Sequence, residues 1–163
     1  MTQVRVLFVC LGNICRSPTA EGMFRHKVAA SDLADAIHID SAGTGDWHIG
    51  RPPDTRAQQA ALARGYDISD LRARQVSGAD FEEFDYIIAM DGQNLLDLSA
   101  MQPVEFSGHL GLMLQFSQDG GDVTDVPDPY FGGEEGFQMV LDLLEKASEN
   151  LLEHIRHRHF ATT

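Results

Sequence analysis

The chain of 163 residues holds only two cysteines, Cys10 and Cys15, and a single tryptophan. Two cysteines five positions apart cannot build a disulfide scaffold, and they do not combine with histidines at the spacing of a zinc site. Basic residues are scarce: 12 Lys and Arg against 25 Asp and Glu give a formal charge of -13. Such a surface repels nucleic acid and anionic membranes, so neither is expected as a partner. No apolar run approaches the length of a membrane span, and the start lacks the charged and apolar regions of a secretory signal. G-x-x-x-x-G-K-[ST] and G-x-G-x-x-G are both missing, which removes the commonest nucleotide and dinucleotide loops. These absences point to a monomeric protein of a reducing cytoplasm, one domain over residues 1–163 with a core of its own.

What is present concentrates near the start. Val4–Val9 is an apolar run suited to a central parallel strand, and it delivers Cys10 to the loop Leu11-Gly12-Asn13-Ile14-Cys15. Arg16, Ser17 and Pro18 follow. A nucleophilic cysteine must be a thiolate. Unpaired N–H groups at a helix start, the permanent charge of Arg16 and a hydroxyl donor at Ser17 all favour one at Cys10. Gly12 and Asn13 tolerate positive φ, so successive N–H groups can turn inward and cradle a tetrahedral oxyanion. Ser17 and Pro18 read as N-cap and first helical residue, with Glu21 placing negative charge in the first turn. The bare C-x5-R spacing is weak evidence. Its strength comes from the glycine-asparagine loop and the serine-proline helix start placed directly after the first strand.

Further along, strands and helices alternate. Helices are expected over 17–30, from Asp54 to Arg64 with Gly65 closing it, over Asn94–Leu98, and from Gly136 to about His157. Ser77-Gly78-Ala79-Asp80 resembles a capping box before a further short helix. Ile37–Ala42, Tyr86–Met90 and His109–Phe116 read as strands, and the acidic stretch Ser117–Thr124 as a loop. This order predicts a doubly wound α/β fold: a mainly parallel, four-stranded sheet with helices on both faces and the phosphate loop after strand 1. Ligands bind such folds at the carboxyl ends of the strands, where Cys10 lies. In Val126-Pro127-Asp128-Pro129-Tyr130 two prolines hold a carboxylate in extended geometry, with Tyr130 and Phe131 as aromatic neighbours. That suits a proton donor. Trp47, in the glycine-bounded loop Gly43–Gly50, is placed to sandwich a phenyl ring with Tyr130. His154 and His157 share a face of the last helix, where positive charge at a helix C-terminus is a simpler account than a metal.

The stretch from Val6 to Pro18 resembles the signature of the low-molecular-weight protein tyrosine phosphatases. The likeness continues through Asp40-Ser41-Ala42-Gly43-Thr44, Arg74-Gln75, Phe84–Asp91 and Val126–Tyr130, in the family's order. It implies that Cys10 is the nucleophile, Arg16 the phosphate clamp and Asp128 the general acid and later base. It further implies that Ser17 tunes the thiolate, that Asn13 with Ser41 supports the loop, and that Cys15 can form a reversible disulfide with Cys10. Phosphate would lie against Leu11, Gly12, Asn13, Ile14, Cys15 and Ser17, with the substrate ring against Trp47 and Tyr130. The expected partners are phosphotyrosine proteins; no cofactor and no metal is required. The chain departs from the family at Leu71, which stands where many members carry a histidine that reaches the loop asparagine. Three other readings compete with this one. An arsenate reductase-like thiol relay needs a further cysteine after Cys15, and there is none. Arginine phosphatases of this type carry threonine at the position of Ile14. A binding module without hydrolysis would not need Asp128.

Overall fold

In the computed structural model, residues 3–117, 125–130 and 132–160 are described. Strand β1 (Val4–Cys10) is followed by helix α1 (Arg16–Ala29), strand β2 (Ile37–Gly43), helix α2 (Thr55–Ala63) and a single helical turn, α3 (Asp80–Glu83). Strand β3 (Tyr86–Ala89), helix α4 (Gly92–Met101), strand β4 (His109–Leu112), a 3-10 turn over Met113–Phe116 and helix α5 (Glu134–His159) complete it. The strands form one parallel sheet in the order β2-β1-β3-β4. The expected doubly wound fold is therefore observed.

Residue alternation along β1 separates two cores. Val4, Val6, Phe8 and Cys10 face α1 and α5, while Leu7 and Val9 face Phe81, Phe84 and Leu98 on the other side. Side chains on a strand alternate faces, so a near-continuous apolar run serves a strand covered on both sides. Phe8 meets Phe24 of α1 edge to face with centroids 5.6 Å apart, and both are fully buried. Each contributes roughly 2–3 kcal/mol by leaving water. The stripe Phe137, Val140, Leu141, Leu144, Ala147, Leu151, Leu152 and Ile155 seals α5 onto the same core.

Several details differ from the sequence reading: α4 extends over Gly92–Met101 beyond the expected Asn94–Leu98, and α5 starts at Glu134, two residues before Gly136. The fourth strand stops at Leu112, because Met113–Phe116 winds into a 3-10 turn whose Met113 and Leu114 enter the core. Helix α1 begins at Arg16, so Ser17 and Pro18 sit inside its first turn instead of capping it. Proline is tolerated there because first-turn N–H groups have no intrahelical partner. The short helix α3 is capped from one side only: Asp80 accepts from the N–H of Ser77 at 2.8 Å, with no hydroxyl cap in return. Of the expected loop over 117–124, residues 118–124 lie outside the described residues. Among the described residues no helix is long and apolar enough to cross a membrane.

Candidate active site

Cys10 is the last residue of β1, Gly43 the last of β2, and Asp91 follows β3 by two positions. The carboxyl ends of three parallel strands thus meet at one edge. A cavity of about 230 Å³ opens there, lined by Cys10, Leu11, Gly12, Ile14, Cys15, Arg16, Trp47, His48, Asp128 and Tyr130. A larger groove of about 910 Å³ lies at the amino ends of β3 and β4, lined in part by Phe106, His109, His154 and Arg158. That is the wrong end of a parallel sheet for ligand binding. There His154 packs edge-on against Tyr86 and Phe116, and His159 bonds the Tyr86 hydroxyl at 2.8 Å.

The loop closes tightly under Cys10 Sγ. The backbone N–H of Asn13 donates to the sulfur at 3.3 Å, and Ser17 Oγ lies 3.0 Å from it. Among the described residues Asn13 is the only non-glycine with positive φ, at 58°. By residue type Gly12 tolerates positive φ as well. Gly12 does not use it; a Cβ there would come within 2.9 Å of the His48 ring. Gly43 is needed for close approach too, since a Cβ would meet the Leu11 carbonyl at 2.8 Å.

Asn13 holds its left-handed conformation through its side chain. Oδ1 accepts from the Arg74 N–H at 3.0 Å, which turns Nδ2 towards Ser17 Oγ at 2.7 Å and Ser41 Oγ at 3.0 Å. Arg74 is itself tied to Asp80 by a two-pronged pair and to Asp40 of β2. Ser41 passes its hydrogen to Glu21 Oε1 at 2.6 Å. The expected Asn13–Ser41 contact is therefore made, and the chain of bonds ends on Glu21. Leu71 packs half-buried against the core. Glu21 was expected in the first turn of α1; it lies one turn further on and is buried. Burial pushes its carboxyl above the usual range, opposed by the bond from Ser41 and the charge of Arg25.

Arg16, in the first turn of α1, is buried. Its Nη1 donates to Asp91 Oδ2 at 2.6 Å and to the Val126 carbonyl at 3.0 Å, while Nη2 lies 3.7 Å from Asp128 Oδ2. Burial opposes the charge, but Cys10, Asp91 and Asp128 outweigh it, so the guanidinium is held even more firmly protonated than usual. Asp128 sits on a partly exposed loop between Pro127 and Pro129, and its Oδ1 accepts from the Tyr130 N–H at 3.1 Å. Cys15 is buried and free, as is Cys10. Burial, then the negative charges of Asp54, Cys10 and Asp128, push the Cys15 thiol far up, so it stays neutral.

Trp47 and Tyr130 both reach the rim, Trp47 being 68% exposed with its ring laid over Gly45. Phe131 lies outside the described residues. Sequence reasoning missed Asp91, His48 and the pair Asp54–Arg56. Asp91 carried a usable signal: it caps α4 by accepting from the Asn94 N–H at 2.8 Å, directly after the strand beside β1.

Fold and site together define a doubly wound α/β protein built around a cysteine loop that follows the first strand. A sequence model of the family described as low molecular weight phosphotyrosine protein phosphatase matches residues 5–160. The chain is 44% identical over 153 residues to the low molecular weight protein-tyrosine-phosphatase YfkJ of Bacillus subtilis, covering 94% of this chain and 96% of that one. It superposes on a protein tyrosine phosphatase from Entamoeba histolytica with TM-score 0.90 and 41% identity, over 95% of this chain and 98% of the other. A Drosophila arginine phosphatase superposes with TM-score 0.84 and 33% identity, over 96% and 99%. The chain belongs to the low molecular weight phosphotyrosine protein phosphatase family.

Proposed function

We propose that this chain is a single catalytic domain that hydrolyses phosphotyrosine in proteins through a phosphocysteine intermediate. One observation carries the reading. A cysteine sulfur in contact with the Asn13 N–H and the Ser17 hydroxyl, a buried arginine and a proline-flanked aspartate come together at the same cavity. Cys10 thiolate attacks phosphorus in line, and the bond from phosphorus to the phenolic oxygen breaks. Asp128 gives that oxygen its proton. Arg16 and the loop N–H groups hold the three equatorial oxygens as charge develops on them. Water then attacks the phosphocysteine, surrendering its proton to Asp128, and Cys10 leaves as thiolate. A thiolate at Cys10 needs a reducing compartment, which supports a cytoplasmic setting. The acidic surface supports an active monomer that captures phosphate by local geometry.

Phosphoarginine hydrolysis is a second reading, favoured by the likeness to the Drosophila arginine phosphatase. Against it, Ile14 presents an apolar side chain to the cavity and Trp47 and Tyr130 flank its mouth, which suits an aryl ring. The test compares phosphotyrosyl and phosphoarginyl peptides under reductant, with Cys10→Ser alongside. Turnover of the phosphotyrosyl peptide, lost in Cys10→Ser, is expected. Turnover of only the phosphoarginyl peptide, or equal turnover by Cys10→Ser, overturns the reading.

A further inference from the structure

Asp128 belongs to a segment held at its two ends by different means. On the upstream side, the Val126 N–H donates to Met90 O at 2.8 Å, Arg16 reaches Val126 O, and Asp125 Oδ1 accepts from the Gly92 N–H. These contacts fix the segment to β3 and α4. On the downstream side Arg56 of α2 reaches the segment with its side chain. Its Nη2 donates to Tyr130 O at 2.8 Å and its Nη1 points to Gly132 O at 3.4 Å. The guanidinium also lies 5.6 Å from the Tyr130 ring centroid and 5.0 Å from that of Phe137.

Arg56 is in turn set by Asp54. Asp54 caps α2 through the Arg56 N–H at 2.8 Å and grips the guanidinium with both oxygens, at 3.1 Å to Nε and 3.1 Å to Nη2. The Asp54 N–H donates to Ile14 O of the phosphate loop at 2.8 Å. A continuous path thus runs from the phosphate loop through Asp54 and Arg56 to the carbonyl two residues past Asp128. An exposed ion pair contributes little stability by itself. What it supplies here is direction, because arginine's planar fork offers several donors at fixed angles once one edge is occupied.

We propose that Arg56 is a positioning residue for proton transfer: it pins the downstream end of the Asp128 segment to the phosphate loop, so that the acid stays over the leaving oxygen. The proposal rests on the assignment of Asp128 as proton donor. Placement matters at this scale, since an ångström of displacement in a reacting group costs up to about a hundredfold.

The test is a double-mutant cycle read through leaving-group dependence. Arg56→Met keeps the stem over Phe137 and deletes the fork; it is measured alone and with Asp128→Asn. For wild type and each variant, kcat/KM is determined on aryl phosphates with good and poor leaving groups. Arg56→Met is expected to lower kcat/KM about tenfold for phenyl phosphate and less than about threefold for activated aryl phosphates. In the Asp128→Asn background the same substitution is expected to change either by less than about twofold, because it acts through the missing acid. Equal losses across leaving groups, or the same loss in both backgrounds, overturn the proposal while leaving the Asp128 assignment standing. If Asp128→Asn alone shows no leaving-group dependence, the assignment and the proposal fall together. Should Arg56→Met not fold, Arg56→Lys, which retains stem and charge without the fork, enters the same cycle with the same expected signs.

Discussion

Replacing Ser17 with alanine removes one oxygen from the floor of the site, and its cost can be worked from the hydrogen positions that the geometry allows. The Arg74 N–H can only donate, so Asn13 Oδ1 faces it and Nδ2 donates to Ser17 Oγ at 2.7 Å. With one lone pair of Oγ so occupied, its single hydrogen has two acceptors in reach. One is Cys10 Sγ at 3.0 Å, the other Ala42 O at 3.4 Å. In the proposed mechanism sulfur departs as an anion, and an anionic acceptor closer by 0.4 Å than the Ala42 carbonyl takes that hydrogen. A hydrogen bond to a charged group contributes about 1.5–3 kcal/mol, which corresponds to roughly 10- to 150-fold in rate. The loss falls hardest on the second step, in which sulfur departs as thiolate. Rapid-mixing measurement of p-nitrophenolate release should therefore show a burst retained in Ser17→Ala and a steady phase slowed by that factor. Asn13 keeps its bond to Ser41, so the fold should lose only about 1 kcal/mol, or roughly 2–4 °C in melting temperature. A folded variant whose steady phase stays within about threefold of wild type would refute the donor role.

Asp91→Asn preserves the cap on α4 but strips buried Arg16 of its nearest anion, Asp128 being the more distant at 3.7 Å. A destabilisation of about 1.5 kcal/mol is expected, seen as a melting temperature lower by roughly 3–6 °C. Inorganic phosphate should raise that temperature more in the variant than in wild type; no difference in either quantity would contradict the pairing. Glu21→Gln tests the buried carboxyl. Since burial raises its folded value, its protonated form is the one the fold favours. Its contribution is then complete at pH below the ordinary glutamate range and is lost as pH rises through the folded value. The melting temperature of Glu21→Gln should match wild type near the acid end and overtake it as pH climbs towards neutrality. A difference independent of pH would sink that account.

Much of this site is local chemistry, and local chemistry is legible in a linear sequence. Seven consecutive residues, Cys10 to Arg16, bring sulfur, turn residues and guanidinium together, whatever the rest of the chain does. The proline pair around Asp128 restricts that backbone in the same way. The helix start was misplaced by two positions because Ser17 reads as an N-cap by residue type. In the fold its oxygen is claimed by Asn13 and Cys10. The sequence pattern runs the last strand on to Phe116 because Met113, Leu114 and Phe116 are apolar in either conformation, and only packing against α5 selects the 3-10 turn.

Sequence alone determined the cysteine loop, the α/β alternation and both faces of the central strand, because spacing, turn propensity and side-chain periodicity act over a few residues. Tertiary structure decided which distant groups complete the site. Asp91 came to Arg16 across 75 positions, Asn13 to Arg74 across 61, and Arg56 to Tyr130 across 74. Those partners depend on which strands become neighbours in the sheet and which helix ends meet at its carboxyl edge. Strand order follows from long-range burial of apolar faces, so no short window of residues contains it.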